Sequence, residues 1–100
     1  MSEIDCVDFR RVAASPAGVT VWDVVAPDGS VFARAEVFPG ETQWGVRLQD
    51  RAPTLDDADL LRLVSRLLVW HVSCPADTVD VVLGRTHVHH TLVKVGADYV

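Results

Sequence analysis

Between residues 18 and 50, "GVTVWDVVAPDGSVFARAEVFPGETQWGVRLQD", apolar and polar positions exchange at nearly every step. Val31, Ala33, Ala35 and Val37 alternate with Phe32, Arg34, Glu36 and Phe38; Trp44, Val46 and Leu48 alternate with Gln43, Arg47 and Gln49. A period of two places one set of side chains on a core and the other in water, the pattern of half-buried antiparallel strands. Three strands are therefore expected here. Pro27-Asp28-Gly29 marks the first turn, because proline presets φ and glycine accepts a positive one. Pro39-Gly40 marks the second, in the order that suits a type II turn. An earlier strand is expected around "CVDFRRVAA", residues 6–14.

The period then changes. "PTLDDADLLRLVSRLLVWHVSCP", residues 53–75, sets Leu60, Leu61, Val64, Leu67 and Leu68 on one face at helical spacing, with Arg62, Arg66 and Ser73 opposite. Thr54 and Asp57 have the spacing of a capping box, and Asp56, Asp57 and Asp59 crowd the first turn, where the helix dipole favours negative charge. Leu63 and Trp70 widen the apolar sector past half the circumference. A helix resting on one core needs a stripe of only about 100°, so the surplus predicts a second covering surface, from a neighbouring element or another subunit. "TVDVVLG", residues 78–84, reads as a strand covered on both faces. The helix before it is long enough for a right-handed parallel crossover from the strand at 42–49.

"RTHVHHTLVKVGADYV", residues 85–100, holds His87, His89 and His90. As a helix it places Val88, Thr91, Leu92 and Val95 on one face and ends at Gly96. As a strand its alternation is mixed, so a short helix followed by a final strand "ADYV" is expected. The fold class expected from the chain is α+β, as one domain over residues 1–100: a mostly antiparallel sheet with one long crossover helix and a short C-terminal helix.

That order resembles the GNAT family of N-acetyltransferases over about residues 19–100, most specifically in "VDVVLGRTHVHHTLVKVGADYV", which looks like the family's last strand–helix unit. The resemblance implies acetyl-CoA as cofactor, with "WGVRLQ" matching the family's central strand and the Thr54–Cys74 helix the one that starts at the cofactor pyrophosphate. Where the family carries a glycine-rich pyrophosphate loop, this chain has "QDRAPTLDDADLL", with no glycine and three aspartates. Carboxylates there repel the phosphates that helix amides otherwise attract. The family's frequent general-acid tyrosine falls at Leu92, which has no proton to give, and Tyr99 is out of register.

Composition narrows the partners. A formal charge of −5 excludes nucleic acid and anionic membrane as the main target, since both need clustered cations. The acidic "MSEIDC" start is no secretory signal, and no apolar run reaches a membrane span. Cys6 and Cys74 lack paired spacing and flanking positive charge, which fits inert thiols in a cytoplasmic setting. The three Trp residues suit core or half-core positions, with Trp44 beside Gly45 a contact residue if it is exposed.

On a helix His87 and His90 share a side while His89 points away; on a strand His87 aligns with His89 instead. Two imidazoles fall short of the three or four protein ligands that zinc prefers, so neither a metal nor a cofactor is expected; a divalent-metal protein using His87 and His90 is the third reading. His71 falls on the apolar face of the main helix, as a neutral core residue or a subunit contact. The function expected is a small non-catalytic GNAT-like domain working through protein contacts and self-associating, of a kind that suits a phage or accessory gene. Leu63, Trp70, His71, Trp44, His87 and His90 form its expected interaction surface. The alternative is an active acyl-CoA-dependent N-acyltransferase whose atypical loop uses strand amides and Arg51. It requires the strands at 42–49 and 78–84 to splay apart around the pantetheine arm.

Overall fold

The computed structural model describes residues 6–92. Its strands are β1 (Asp8–Ala14), β2 (Thr20–Val25), β3 (Val31–Phe38), β4 (Trp44–Gln49), β5 (Thr78–Leu83) and β6 (Thr86–Thr91). They lie side by side in chain order in a single sheet. Neighbours run antiparallel except β4 and β5, which are parallel. The connection between those two carries the helix α1 (Asp57–Arg66), which continues as a π-helical segment, Leu67–Val72. Parallel neighbours cannot be joined by a tight turn, so the chain must cross a face of the sheet here.

The fold class expected from the sequence is corrected on this point. The molecule is a six-stranded mixed sheet with one helix of 16 residues, not a GNAT-like α+β arrangement with a long crossover helix and a second, C-terminal one. The reason lies at Gly84. The hairpin between β5 and β6 has Leu83 paired with Thr86, leaving Gly84-Arg85 as a two-residue turn. Gly84 has φ +65, as the first central position of such a turn demands. The chain therefore folds back at once as β6, and Thr86, Val88 and Thr91 add the β-branched side chains that suit a strand. Val95, Gly96 and the "ADYV" strand expected from the sequence lie outside the described residues.

The turns and caps differ from expectation in detail. Ala26 to Gly29 forms the first turn, with the Gly29 amide donating to the Ala26 carbonyl at 2.9 Å. The Asp28 carboxylate accepts from the Ser30 hydroxyl and amide, and these bonds hold its pKa below the ordinary value. The second connection is the broader loop 39–43, because Phe38 pairs with Gly45. A Cβ on Gly40 would meet the Gln43 carbonyl at 2.0 Å, so only glycine permits that close return. The helix cap is Asp56, whose side chain accepts from the Asp59 amide at 2.8 Å; Thr54 lies outside the helix. Ser73, left-handed at φ 58, closes the far end.

One face of the sheet carries the core. Ala33, Ala35 and Val37, Val46 and Leu48, and Val79, Val81 and Leu83 are all buried against Leu60, Leu63, Val64, Leu67 and Leu68 of the helix. Leu68 and Val79 are completely inaccessible. Opposite Val24 and Val25, β3 carries an extra residue, because Ala33 and Val31 are the paired positions. This bulge frees Phe32 from strict alternation, and Phe32 joins the core with Leu55 and Val7. The opposite face has no helix over it among the described residues and is polar.

Candidate functional site

The region where the GNAT resemblance places a cofactor lies beyond the carboxyl ends of β4 and β5. The two strands stay paired from Trp44 with Val79 to Leu48 with Leu83. The splay required by an acyl-CoA arm is therefore not present between them. A shallow cleft of about 210 Å³ remains between Leu48, Leu83 and Leu60. Its rim is acidic at Asp50 and in the first turn of α1, and the Arg51 guanidinium is already bound to Asp57 at 2.5 Å. A phosphate here would meet carboxylates before it met an available cation.

The six residues expected to form one surface are dispersed. Leu63 is 2% exposed and belongs to the core. Trp44 is half-buried beside it, and its indole Nε1 is enclosed without a hydrogen-bond acceptor among the described residues. Trp70 is the exception, 51% exposed on the π-helical segment. The buried helix positions face the sheet, while Leu61, Val69 and Val72 are half-buried. Of the helix's large apolar side chains, Trp70 alone is exposed among the described residues.

His71, next to Trp70 in the chain, is exposed and not in the core. Its ring lies 5.0 Å from Phe9 of β1 and 6.0 Å from Trp22 of β2, tilted and edge-on respectively. The Arg66 guanidinium stands 5.6 Å over the Phe9 ring, a cation–π contact. Trp22 donates its indole N–H to Thr20 Oγ1 at 2.9 Å. Partial burial lowers the His71 pKa below the ordinary histidine value, Arg66 lowers it further and Asp8 opposes them. A neutral imidazole therefore packs among aromatic rings at neutral pH.

β6 separates the remaining histidines by face. His90 points under the helix, where Nε2 lies 2.8 Å from the Ser65 hydroxyl. Burial lowers its pKa and a hydrogen bond to the Leu61 backbone works in the opposite direction. Ser65 is 1% exposed, so a buried hydroxyl and a half-buried imidazole satisfy one another. His87 and His89 occupy the opposite, open face, against Val82 and Asp80. His89 Nδ1 meets Asp80 Oδ1 at 2.8 Å, and Gln43 Nε2 donates to Asp80 Oδ2 at 2.7 Å.

Helical phasing could not find the Asp80–His89 contact, but the Gly84-Arg85 turn could. Counting outward from a two-residue turn pairs Leu83 with Thr86 and, three steps on, Asp80 with His89. The same open face carries Asp23 with Arg34, at 2.8 Å, and Glu36 with Arg47, at 3.9 Å. No disulfide joins exposed Cys6 and buried Cys74. Among the described residues no helix is long and apolar enough to cross a membrane.

Comparison with family models, with characterised proteins and with solved structures finds no match for this chain. The functional reading therefore rests on its own surface chemistry.

Proposed function

We propose that this domain acts through protein contacts and self-associates through the outer flank of its helix. The observation that carries the reading is Trp70, half in water beside a cluster of Arg66, Phe9, His71 and Trp22. Tryptophan and arginine are enriched among the residues that dominate interface energetics: tryptophan buries much area with two torsions to freeze, and arginine presents a planar fork of donors that stacks on rings. Exposed as it is, Trp70 costs solvation that a partner surface would recover. The polar groups of the open face, by contrast, neutralise one another in pairs across adjacent strands. They offer a partner less, since releasing them from their present bonds costs as much as new bonds return.

The test is mass by light scattering over a wide range of concentrations, for the native chain and Trp70→Arg. The expected result is a native mass that rises from monomer to dimer, with Trp70→Arg held at monomer. A native chain that stays monomeric throughout, or an arginine variant that dimerises equally well, overturns the reading.

A further inference from the structure

Both carboxylate oxygens of Asp80 are occupied. Gln43 from the β3–β4 loop occupies one oxygen and His89 from β6 the other. The glycine at position 40 lets that loop close tightly enough to bring Gln43 into place. Accepting from His89 Nδ1 fixes the ring in the tautomer that carries its proton there. The lone pair of Nε2 is then directed away from Asp80, on an exposed side chain.

His87 is two residues away on the same strand and the same face, also exposed. Successive residues of one face have Cα atoms about 6.6–7 Å apart, within the span two imidazoles can close around one ion at about 2.0–2.1 Å. A histidine ligand whose second nitrogen donates to a carboxylate is the usual second layer of a metal site. We propose that His87 and His89 chelate one late first-row divalent ion, Ni²⁺, Cu²⁺ or Zn²⁺, with Asp80 as the residue that positions His89.

Imidazole pairs suit these ions better than Mg²⁺ or Ca²⁺, which take oxygen ligands. No group of three or more His, Cys, Asp or Glu residues able to hold an ion occurs among the described residues. The remaining coordination positions therefore face solvent, and the site exchanges its ion and accepts further donors. It lies on the open face, with His90 turned to the other side of the sheet, and does not depend on self-association through Trp70.

Titration calorimetry of the full chain with NiCl₂ and then ZnCl₂, near neutral pH, tests the site. Nickel avoids the thiol oxidation that copper would bring to Cys6. One ion per chain is expected, bound more tightly as nickel than as zinc. His87→Ala and His89→Ala should each weaken nickel binding at least tenfold, and Asp80→Asn by roughly 10–100-fold. His71→Gln and Cys6→Ser should leave it unchanged, with circular dichroism confirming the fold of each variant. Absence of binding to both ions overturns the proposal. So does binding that survives both His87→Ala and His89→Ala, or that is lost in Cys6→Ser.

Discussion

Within β3, Ala33, Ala35 and Val37 lie under the helix while Arg34 and Glu36, one residue away, stand on the open face. The covered side is held by packing, with Val46, Val79, Val81, Leu60, Leu63, Leu67 and Leu68 reduced to 2% exposure or less. The open side is held by pairs: Arg34 with Asp23, Arg47 with Glu36, His89 with Asp80. The two differ in how their energy is distributed. Apolar burial contributes in proportion to area at every position, whereas an ion pair in water loses to solvation most of what attraction provides. The covered face should thus account for stability, and the open face for solubility and for whatever binds there.

Leu68→Ala breaks this comparison most directly. Leu68 is fully inaccessible, and truncation removes its transfer energy and leaves a cavity in a close-packed layer. A loss of about 2–5 kcal/mol is expected, read as a lower urea midpoint at unchanged slope. Arg47→Ala on the opposite face should move the midpoint by a small fraction of that. Equal losses at the two positions would overturn the assignment of stability to the covered face.

Ser65→Ala probes the polar contact inside the apolar layer. The variant leaves His90 Nε2 facing the helix without the hydroxyl 2.8 Å away. An orphaned group costs about 1–3 kcal/mol, offset by the somewhat better helix propensity of alanine. A net loss of about 1 kcal/mol is expected in the same denaturation measurement. A neutral or stabilising result would show that His90 finds water instead.

The same histidine gives the sheet a pH dependence. In an unfolded chain histidine takes up a proton near pH 6.5, but in the fold burial delays this for His90 and for His71. The unfolded state therefore binds more protons below that pH, and stability must fall with it. The contribution is complete above about pH 6.5 and is lost as pH falls through the lower folded-state values. His90→Gln and His71→Gln should each flatten the decline of the urea midpoint between about pH 7 and 5.

How far the sequence carried the fold divides along the same line between period and position. The alternation of β3 and β4, the helix phase at Leu60, Val64 and Leu67, and the apolar β5 segment all follow from periodicity, because a buried face repeats the same demand every two or every 3.6 residues. The C-terminal segment did not follow, since His87 to Leu92 fits a helical wheel about as well as a strand. The turn chemistry of Gly84-Arg85 outweighs that ambiguity and reverses the chain. The candidate sites were less legible still. Trp70 and Leu63 both belonged to the apolar sector, yet one is exposed and the other buried, since the π-helical winding of Leu67–Val72 departs from the 3.6-residue period that set them on one face. Asp80 and Gln43, 37 residues apart, meet only because the β4–β5 crossover lays β5 beside β4, and no local pattern announces that.

The smallest effects sharpen the comparison, because they rank the ion pairs of the open face. Asp23 is only 9% exposed and accepts two bonds from the Arg34 guanidinium, at 2.8 and 3.3 Å. Glu36 and Arg47 are separated by 3.9 Å, with the arginine side chain 58% exposed. A fork of two bonds to a half-desolvated carboxylate is stronger and more specific than one long contact in solvent. Double-mutant cycles to alanine should give a measurably larger coupling for Asp23 with Arg34 than for Glu36 with Arg47. Salt should reduce the second toward zero while leaving most of the first, since screening acts mainly on exposed charges. If the two couplings prove equal and fall together with salt, then Asp23 is solvated like any surface group and the open face is uniform in its electrostatics.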